Sequence, residues 1–260
     1  MKKVLIKTKY FFSSNRKQRD AKSYLDSGYA STLSRIEKAR LIKSVLTVSM
    51  DLELSNMNIL DVGCGNGEIS QFLQNYGNNV ASCDVQIPSI ELSNFIKLTD
   101  ITLPFGDDSF DIVIYNNVIE HLSSYNDQKI QLHEIYRVLK SDGCAYINAP
   151  NRLFPMEAHT GVWFLHWLPN HLFFLLLKLI KRYQEDILLI NYFKFKRIIK
   201  QIGFQYDEYT ADIIAYPDVY STKENTIKLK CKKSTKRAGF LYKILQPLSP
   251  NNVFIVRKGI

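Results

Sequence analysis

The sequence predicts an α/β fold built on a mostly parallel sheet with helices on both faces. Three observations carry that prediction. Apolar runs of strand length alternate with helical periodicity from Asn58 to Asn148, the first run empties into a glycine-rich turn that opens a helix, and the next two runs end near acids, Asp84 and Asp100. A chain of 260 residues with 46% apolar residues can bury a full core, and one decorated domain is expected.

Residues 31–50 place Leu33, Ile36, Ala39, Leu41, Ile42, Val45 and Leu46 at helical spacing with Arg35, Lys38 and Lys43 between them, an amphipathic helix expected to pack on the domain C-terminal to it. Asn58 to Val62 reads as a strand, Gly67 to Tyr76 as a helix and Asn79 to Asp84 as a second strand, together a β-α-β unit. Phe95 to Thr99, Phe110 to Tyr115 and Ala145 to Asn148 continue the strands. Tyr125 to Leu139 is a helix whose Ile130, Ile135, Val138 and Leu139 can face inward. After Pro150 the alternation breaks, and residues 151–182 are rich in aromatics, Leu, His and Pro. A helix over Tyr192 to Ile202 and strands at Phe204 to Tyr209 and Asn252 to Arg257 come next, while residues 216–248 are polar, lysine-rich and weakly patterned. The expected organisation is a basic helical extension over residues 1–54 and a domain over residues 55–260, with a lid-like insertion at about residues 151–190.

Charge is unevenly spread. Residues 1–50 carry a net +9, residues 51–177 a net −10 and residues 178–260 a net +10, for +9 overall. A mildly acidic centre with basic flanks suits a core that does chemistry and flanks that meet something anionic, or else simply solvated helix faces. The four cysteines, Cys64, Cys83, Cys144 and Cys231, match neither a zinc pattern nor a disulfide scaffold and point to a reducing cytosol. The run Val4-Leu5-Ile6 among the first lysines is too brief for the core of an export signal, so a cytoplasmic protein is expected.

The turn Asp61-Val62-Gly63-Cys64-Gly65-Asn66-Gly67 is the informative motif. Alternating glycines after a strand let the backbone pass close to a ligand and aim free amides at it. Asp84, 17 residues beyond Gly67, stands where dinucleotide-type folds place an acid for ribose hydroxyls. Each acid alone could be an ordinary strand-end carboxylate, but Asp61, Asp84 and Asp100 in register favour a nucleoside-bearing ligand. The Gly-x-Gly-x-Gly spacing fits a nicotinamide dinucleotide less well, since that needs Gly-x-Gly-x-x-Gly.

The stretch from Ile59 to Gly67 resembles the signature motif of class I S-adenosyl-L-methionine (SAM)-dependent methyltransferases. So do Asp100 to Val113, with its Leu103-Pro104-Phe105-Gly106-Asp107 core, then Asn117-Val118-Ile119-Glu120-His121-Leu122, and Glu134 to Lys140 followed by Asp142-Gly143. The resemblance spans residues 55–150 strongly and implies a Rossmann-like, seven-stranded, doubly wound sheet with SAM as cofactor. It implies that Gly63, Cys64, Gly65 and Gly67 pass under the methionine part, with Asp61 near its ammonium. Asp84 would hold the ribose, Asp100 with Ile101 would read the adenine edge, and Asn116 and Asn117 would line the methyl end.

Methyl transfer from a sulfonium needs alignment of the acceptor and exclusion of water, with a base where the acceptor is a hydroxyl. His121 and His159 are the candidate bases, with Glu120 as a partner; the Glu120-His121 pair also recurs in such enzymes merely as the start of a helix. In some related RNA 2′-O-methyltransferases and ubiquinone-pathway O-methyltransferases, a Glu three residues earlier joins the pair in holding a metal. Asn117 stands there instead, so no metal is assigned.

The run from Ala149 to Pro169 lies where this superfamily inserts substrate-recognition elements, and it resembles a subgroup linked to cell-envelope polysaccharide biosynthesis. The expected acceptor is accordingly a small molecule or lipid-linked glycan, such as a sugar hydroxyl. His166, Pro169, Asn170, His171 and Lys178 interrupt the apolar stretch Val162 to Ile180, leaving too few residues to cross a bilayer. Leu172 to Ile180, with Lys181-Arg182 after it and Trp163 and Trp167 before it, reads either as a buried helix over the substrate pocket or as a peripheral contact with an anionic membrane at its inner face. An RNA methyltransferase is the alternative, from the flanks and from Lys228, Lys230, Lys232, Lys233, Lys236 and Arg237, but no nucleic-acid module accompanies them. A non-catalytic peripheral membrane or scaffold protein with a SAM-like fold is a further alternative, which the intact glycines and acids disfavour. Oligomeric state is not legible.

Overall fold

A computed structural model of the chain describes residues 32–49, 51, 53–157, 160–183, 186–215, 220 and 243–259. Its main sheet has seven strands: β1 (Asn58–Val62), β2 (Asn79–Asp84), β3 (Phe95–Lys97), β4 (Phe110–Asn116), β5 (Leu139–Pro150), β8 (Phe204–Glu208) and β9 (Asn251–Lys258), in the order β3-β2-β1-β4-β5-β9-β8. Strands β1 to β5 pair in parallel, and β9 runs antiparallel to both β5 and β8. The Rossmann-like, mostly parallel architecture expected from the sequence is therefore present.

Period-two side-chain alternation divides the core into two. On one face, Leu60, Val62, Val113, Tyr115, Ala145 and Ile147 meet Leu132, Ile135 and Val138 of α3 (Tyr125–Val138) and Phe195, Ile199 and Ile202 of α5 (Tyr192–Ile202). On the other, Ile59, Ile112, Ile114, Cys144 and Tyr146 meet Ile69 and Leu73 of α2 (Glu68–Gln74) and Ala39 and Ile42 of α1 (Thr32–Ser44). The near-continuous apolar run Ile112-Val113-Ile114-Tyr115 is thus explained by helices on both sides.

Helix ends obey local chemistry. Ser124 caps α3 by accepting the Asp127 N–H at 3.1 Å, and Asn191 caps α5 by accepting the Lys194 N–H at 2.8 Å. Gly67, at φ 95°, cannot be helical and fixes the start of α2 at Glu68. The helix expected over residues 31–50 is α-helical only to Ser44 and closes in a π turn, Val45–Ser49, which keeps Val45 and Leu46 buried. β3 ends at Lys97, so Asp100 lies beyond the strand it was expected to end, on an exposed turn. A short helix α6 (Thr210–Ala215) comes after β8, where none was expected.

Between β5 and α5 the chain builds a two-stranded ribbon, β6 (Met156–Glu157) with β7 (Val162–Trp163), a single 3-10 turn at Leu165–Trp167 and the helix α4 (Asn170–Leu179). These share a small separate core of Val162, Phe173, Leu177, Ile187 and Leu189. His166 is buried and its Nε2–H donates to the Phe154 and Arg152 carbonyls at 2.8 and 3.1 Å; burial keeps its ring below the usual histidine range and hence neutral. Among the described residues no helix is long and apolar enough to cross a membrane.

Candidate functional site

Parallel pairing brings the carboxyl ends of β1, β2, β4 and β5 to one edge of the sheet. The order reverses about β1, whose neighbours are β2 and β4, and ligands of open α/β sheets settle outside such a switch point. The turn after β1 is held to β2: the Gly63 N–H donates to the Cys83 carbonyl at 2.7 Å and the Cys64 N–H to the same oxygen at 3.3 Å. Gly63, Gly65 and Gly67 have φ of 74°, 59° and 95°, a region that L side chains rarely enter. A Cβ on Gly63 would stand 2.4 Å from Val118 Cγ2, so the turn is also packed directly against the segment after β4.

Asp84 and Asp61 stand beside this turn, and Asp100 lies farther along the chain after β3. Asp84 ends β2 and is buried; its Oδ2 accepts the Gly65 N–H and its Oδ1 the Gln86 N–H, both at 2.9 Å, leaving lone pairs for two hydroxyls. Asp61 is buried and its Oδ2 accepts the Ser70 hydroxyl at 2.6 Å, while the hydroxyls of Ser70 and Ser82 lie 2.9 Å apart. Burial pushes the Asp61 carboxyl up to about 6, the Ser70 hydrogen bond opposing and the nearby Asp84 charge adding to the rise. Asp100 is exposed and accepts the N–H of Ile101, whose side chain is buried. Cys64 and Cys83 are buried beside Asp61 and Asp84, and burial holds both thiols far above their ordinary range, so the loop cysteine lies under the turn as an unreactive thiol.

The other half of the site comes after β4. Asn117 is left-handed at φ 55°, and its N–H donates to the Asn148 carbonyl at 2.9 Å. Its buried Oδ1 has no hydrogen-bond partner among the described residues. Asn116 Oδ1 accepts the Asn148 amide at 2.9 Å. Glu120 and His121 lie in the single 3-10 turn Ile119–His121; Glu120 is fully buried and its Oε1 is 3.9 Å from His121 Nε2. The segment between α4 and α5 docks on this turn, for the Leu188 N–H donates to the Glu120 carbonyl at 2.7 Å and Gln128 Nε2 bridges the Ile119 and Leu188 carbonyls. His159, the other candidate base, lies outside the described residues.

Helix α1 adds cations that its sequence pattern did not assign to the site. Arg35 Nη1 would be 2.9 Å from a Cβ on Gly65 and lies 3.9 Å from Glu68 Oε2. Lys38 is held below the usual lysine range, first by burial and then by Arg35, with the Glu120 charge opposing. Arg35 and Lys38 therefore face the turn after β1 and the turn after β4 together. Among the described residues, no three His, Cys, Asp or Glu side chains converge as a metal site.

Residues 60–147 match the family model described as a methyltransferase domain. The chain carries a class I SAM-dependent methyltransferase domain. SAM is the cofactor of that domain. Among curated proteins, the chain is 30% identical over 154 residues to the ubiquinone biosynthesis O-methyltransferase of Rickettsia akari, covering 54% of this chain and 60% of that protein. It is 26% identical over 148 residues to the enzyme of the same name from Pelagibacter ubique, covering 52% and 60%. The chain thus spans about 60% of the length of these curated relatives. Among solved structures, the fold resembles the 1,6-didemethyltoxoflavin-N1-methyltransferase of Burkholderia thailandensis, solved with S-adenosylhomocysteine, at a TM-score of 0.53 and 14% identity over 92% of this chain and 85% of that one. A SAM-dependent methyltransferase from Mesorhizobium loti gives 0.52 at 13% identity over 90% and 100%. Likeness at such identity speaks for the fold alone.

The residues of the methyltransferase domain fit its cofactor. Gly63, Gly65 and Gly67 add no side chains of their own to the turn, Asp84 keeps acceptor capacity at a strand end, and the buried Asn117 Oδ1 awaits a donor.

Proposed function

We propose that the chain is an enzyme that transfers a methyl group from SAM to a hydroxyl of a small or lipid-linked acceptor. The observation that carries this reading is the meeting of the glycine turn with the buried Glu120 and the partly exposed His121 across the contact of Gly63 with Val118. In this reading Asp84 holds the ribose hydroxyls, Asp61 the ammonium and Arg35 the carboxylate of the cofactor, with Asp100 and Ile101 at the adenine edge. Bound SAM supplies an electrophilic methyl carried on a sulfonium. His121 Nε2 accepts the proton that the acceptor hydroxyl loses as its oxygen is alkylated, and Glu120 Oε1, 3.9 Å away, stabilises the resulting imidazolium. Asn117, fixed by its backbone bond to Asn148, positions the acceptor, and the Leu188 segment closes the turn against water.

The names of the curated relatives favour an oxygen acceptor, and the aromatics between β5 and α4 suit a ring, whether of a sugar or of a quinone precursor. The test is transfer of labelled methyl from SAM to a prenylated catechol and, separately, to a total lipid and glycolipid extract. Label in an O-methyl ether is expected with one of them. His121→Ala should lower turnover by about 10²-fold or more with S-adenosylhomocysteine affinity unchanged. Absence of label from every acceptor pool, in protein that binds the cofactor, would overturn the enzymatic reading.

A further inference from the structure

The segment between β5 and α5 turns an apolar face to solvent. Helix α4 buries Phe173 and Leu177 in its own small core, and Leu172, Leu175 and Leu179 lie on the opposite side, within about 60° of one another at 100° per residue. Leu175 is 53% exposed and Leu179 69%. Upstream, Trp163 at 60%, Phe164 at 52% and Trp167 at 48% form an exposed aromatic cluster, Phe164 standing 5.0 Å from Trp167 and 6.0 Å from Trp163 between ring centroids. Lys178, Lys181 and Arg182 are exposed at the end of the helix, and no acid occurs from Thr160 to Tyr183.

We infer that this face seats on an anionic lipid surface, with α4 parallel to the bilayer plane. Exposed aromatics and leucines rimmed by cations are what an interfacial helix presents, the apolar side entering the acyl boundary and the cations meeting phosphates. At ten residues and about 15 Å, α4 lies on a membrane and cannot span its hydrocarbon of about 30 Å. A second copy of the chain is a poorer occupant, because a twofold interface would set the same uncompensated cations against each other. The location gives the contact a use. The segment that carries α4 continues to Leu188, whose N–H donates to the Glu120 carbonyl, so the membrane contact and the turn that handles the acceptor are joined by one short stretch of chain. The inference deepens the acceptor reading by selecting its lipid-linked branch, and rests on that reading for this consequence only.

The chain's two tryptophans both lie in the exposed aromatic cluster of this segment, which makes their emission a reporter of it alone. The full chain is mixed with vesicles of phosphatidylcholine, with and without phosphatidylglycerol, at low and high salt, reading sedimentation and tryptophan emission together. Binding to the anionic vesicles, a blue-shifted emission quenched by brominated acyl chains, and weakening by salt are expected. The variant Leu175→Glu/Leu179→Glu, which alters exposed positions only, should lose on the order of 10²-fold or more in partitioning while binding S-adenosylhomocysteine as the wild type does. Sedimentation with unshifted emission would assign the attraction to the basic flanks and overturn the inference. So would emission already blue without lipid, or a concentration-dependent dimer abolished by the double variant with no vesicle binding. Cofactor binding without vesicle binding sinks this inference and leaves the methyl-transfer reading standing, whereas vesicle binding without methyl transfer does the reverse.

Discussion

Asp61 gives the site two opposed pH trends. Its carboxyl is raised to about 6, so between its ordinary value and about pH 6 the folded chain holds a proton that the unfolded chain has lost. Its contribution to stability is therefore greatest at low pH and is lost as pH rises through about 6. An ammonium partner needs the opposite state, the carboxylate, and affinity for S-adenosylhomocysteine should fall by up to about tenfold per pH unit below about pH 6. Calorimetry across that range, with Asp61→Asn expected to flatten the profile, checks it. A profile identical in the variant would remove Asp61 from the ammonium. Asp84→Ala should weaken S-adenosylhomocysteine binding by about 1.5–3 kcal/mol, the scale of hydrogen bonds to a charged group. Undiminished affinity in that variant would remove the ribose assignment and nothing else. The glycines were legible in the sequence because left-handed backbone demands them, and the two acids because each stands near the end of an apolar strand beside that turn. Arg35, Lys38, Ser70 and Ser82 were not, since each reaches the site through packing of one element on another. The helical pattern of residues 31–50 shows Arg35 only as polar, and nothing in it says that this face of α1 meets Gly65.

At the level of elements, the stretch after Asp100 has a structural duty. The Arg137 guanidinium near the end of α3 donates to the Leu103 and Phe105 carbonyls at 2.9 and 2.8 Å, and to the carboxylates of Asp107 and Glu134 at 2.8 Å each. Those carboxylates hold its pKa above the ordinary arginine range, and the latch fixes the loop between β3 and β4. Arg137→Ala should cost about 1.5–3 kcal/mol of stability, read by urea unfolding. It should also open residues 103–107 to proteolysis, with native-like resistance of that loop as the contrary result. Strand and helix periodicity located β1, β2, β4, α3, α5 and β8 to within a residue or two. Ala145 to Asn148 was too short a reading of β5, because Lys140 to Gly143 are a polar run with no strand pattern, which bulges out of the ladder with β4 between the Leu139–Phe110 and Cys144–Ile112 pairs. The π turn after α1 and the short helix α6 carry no local signal of their own, as tertiary burial of Leu46 and Ala211 decides both.

Across the whole molecule, stability is unevenly shared. The two large cores clamp β1, β4 and β5 from both faces, whereas α4 and the β6-β7 ribbon rest on a small core of their own. Native-state hydrogen exchange should place the amides of β1 and β4 at the global unfolding free energy. Residues 162–179 should open several kcal/mol below it, without loss of cofactor binding at Asp84; equal protection of both regions would contradict the division. The alternation of charge along the chain was legible as numbers, but the side of the molecule on which each basic flank falls was not, because charge counts carry no direction.

The position of β9 has a meaning in time. It lies between β5 and β8, yet it is made after both. On the ribosome β5 therefore emerges with one edge bare, and β8 arrives with no partner to join. At about 5–20 residues per second the roughly 40 residues that separate β8 from β9 take some 2–8 s to be polymerised. Throughout that interval the nascent chain offers an unpaired edge to its neighbours, so slower translation through residues 209–250 lengthens the time in which it is open to association with other chains.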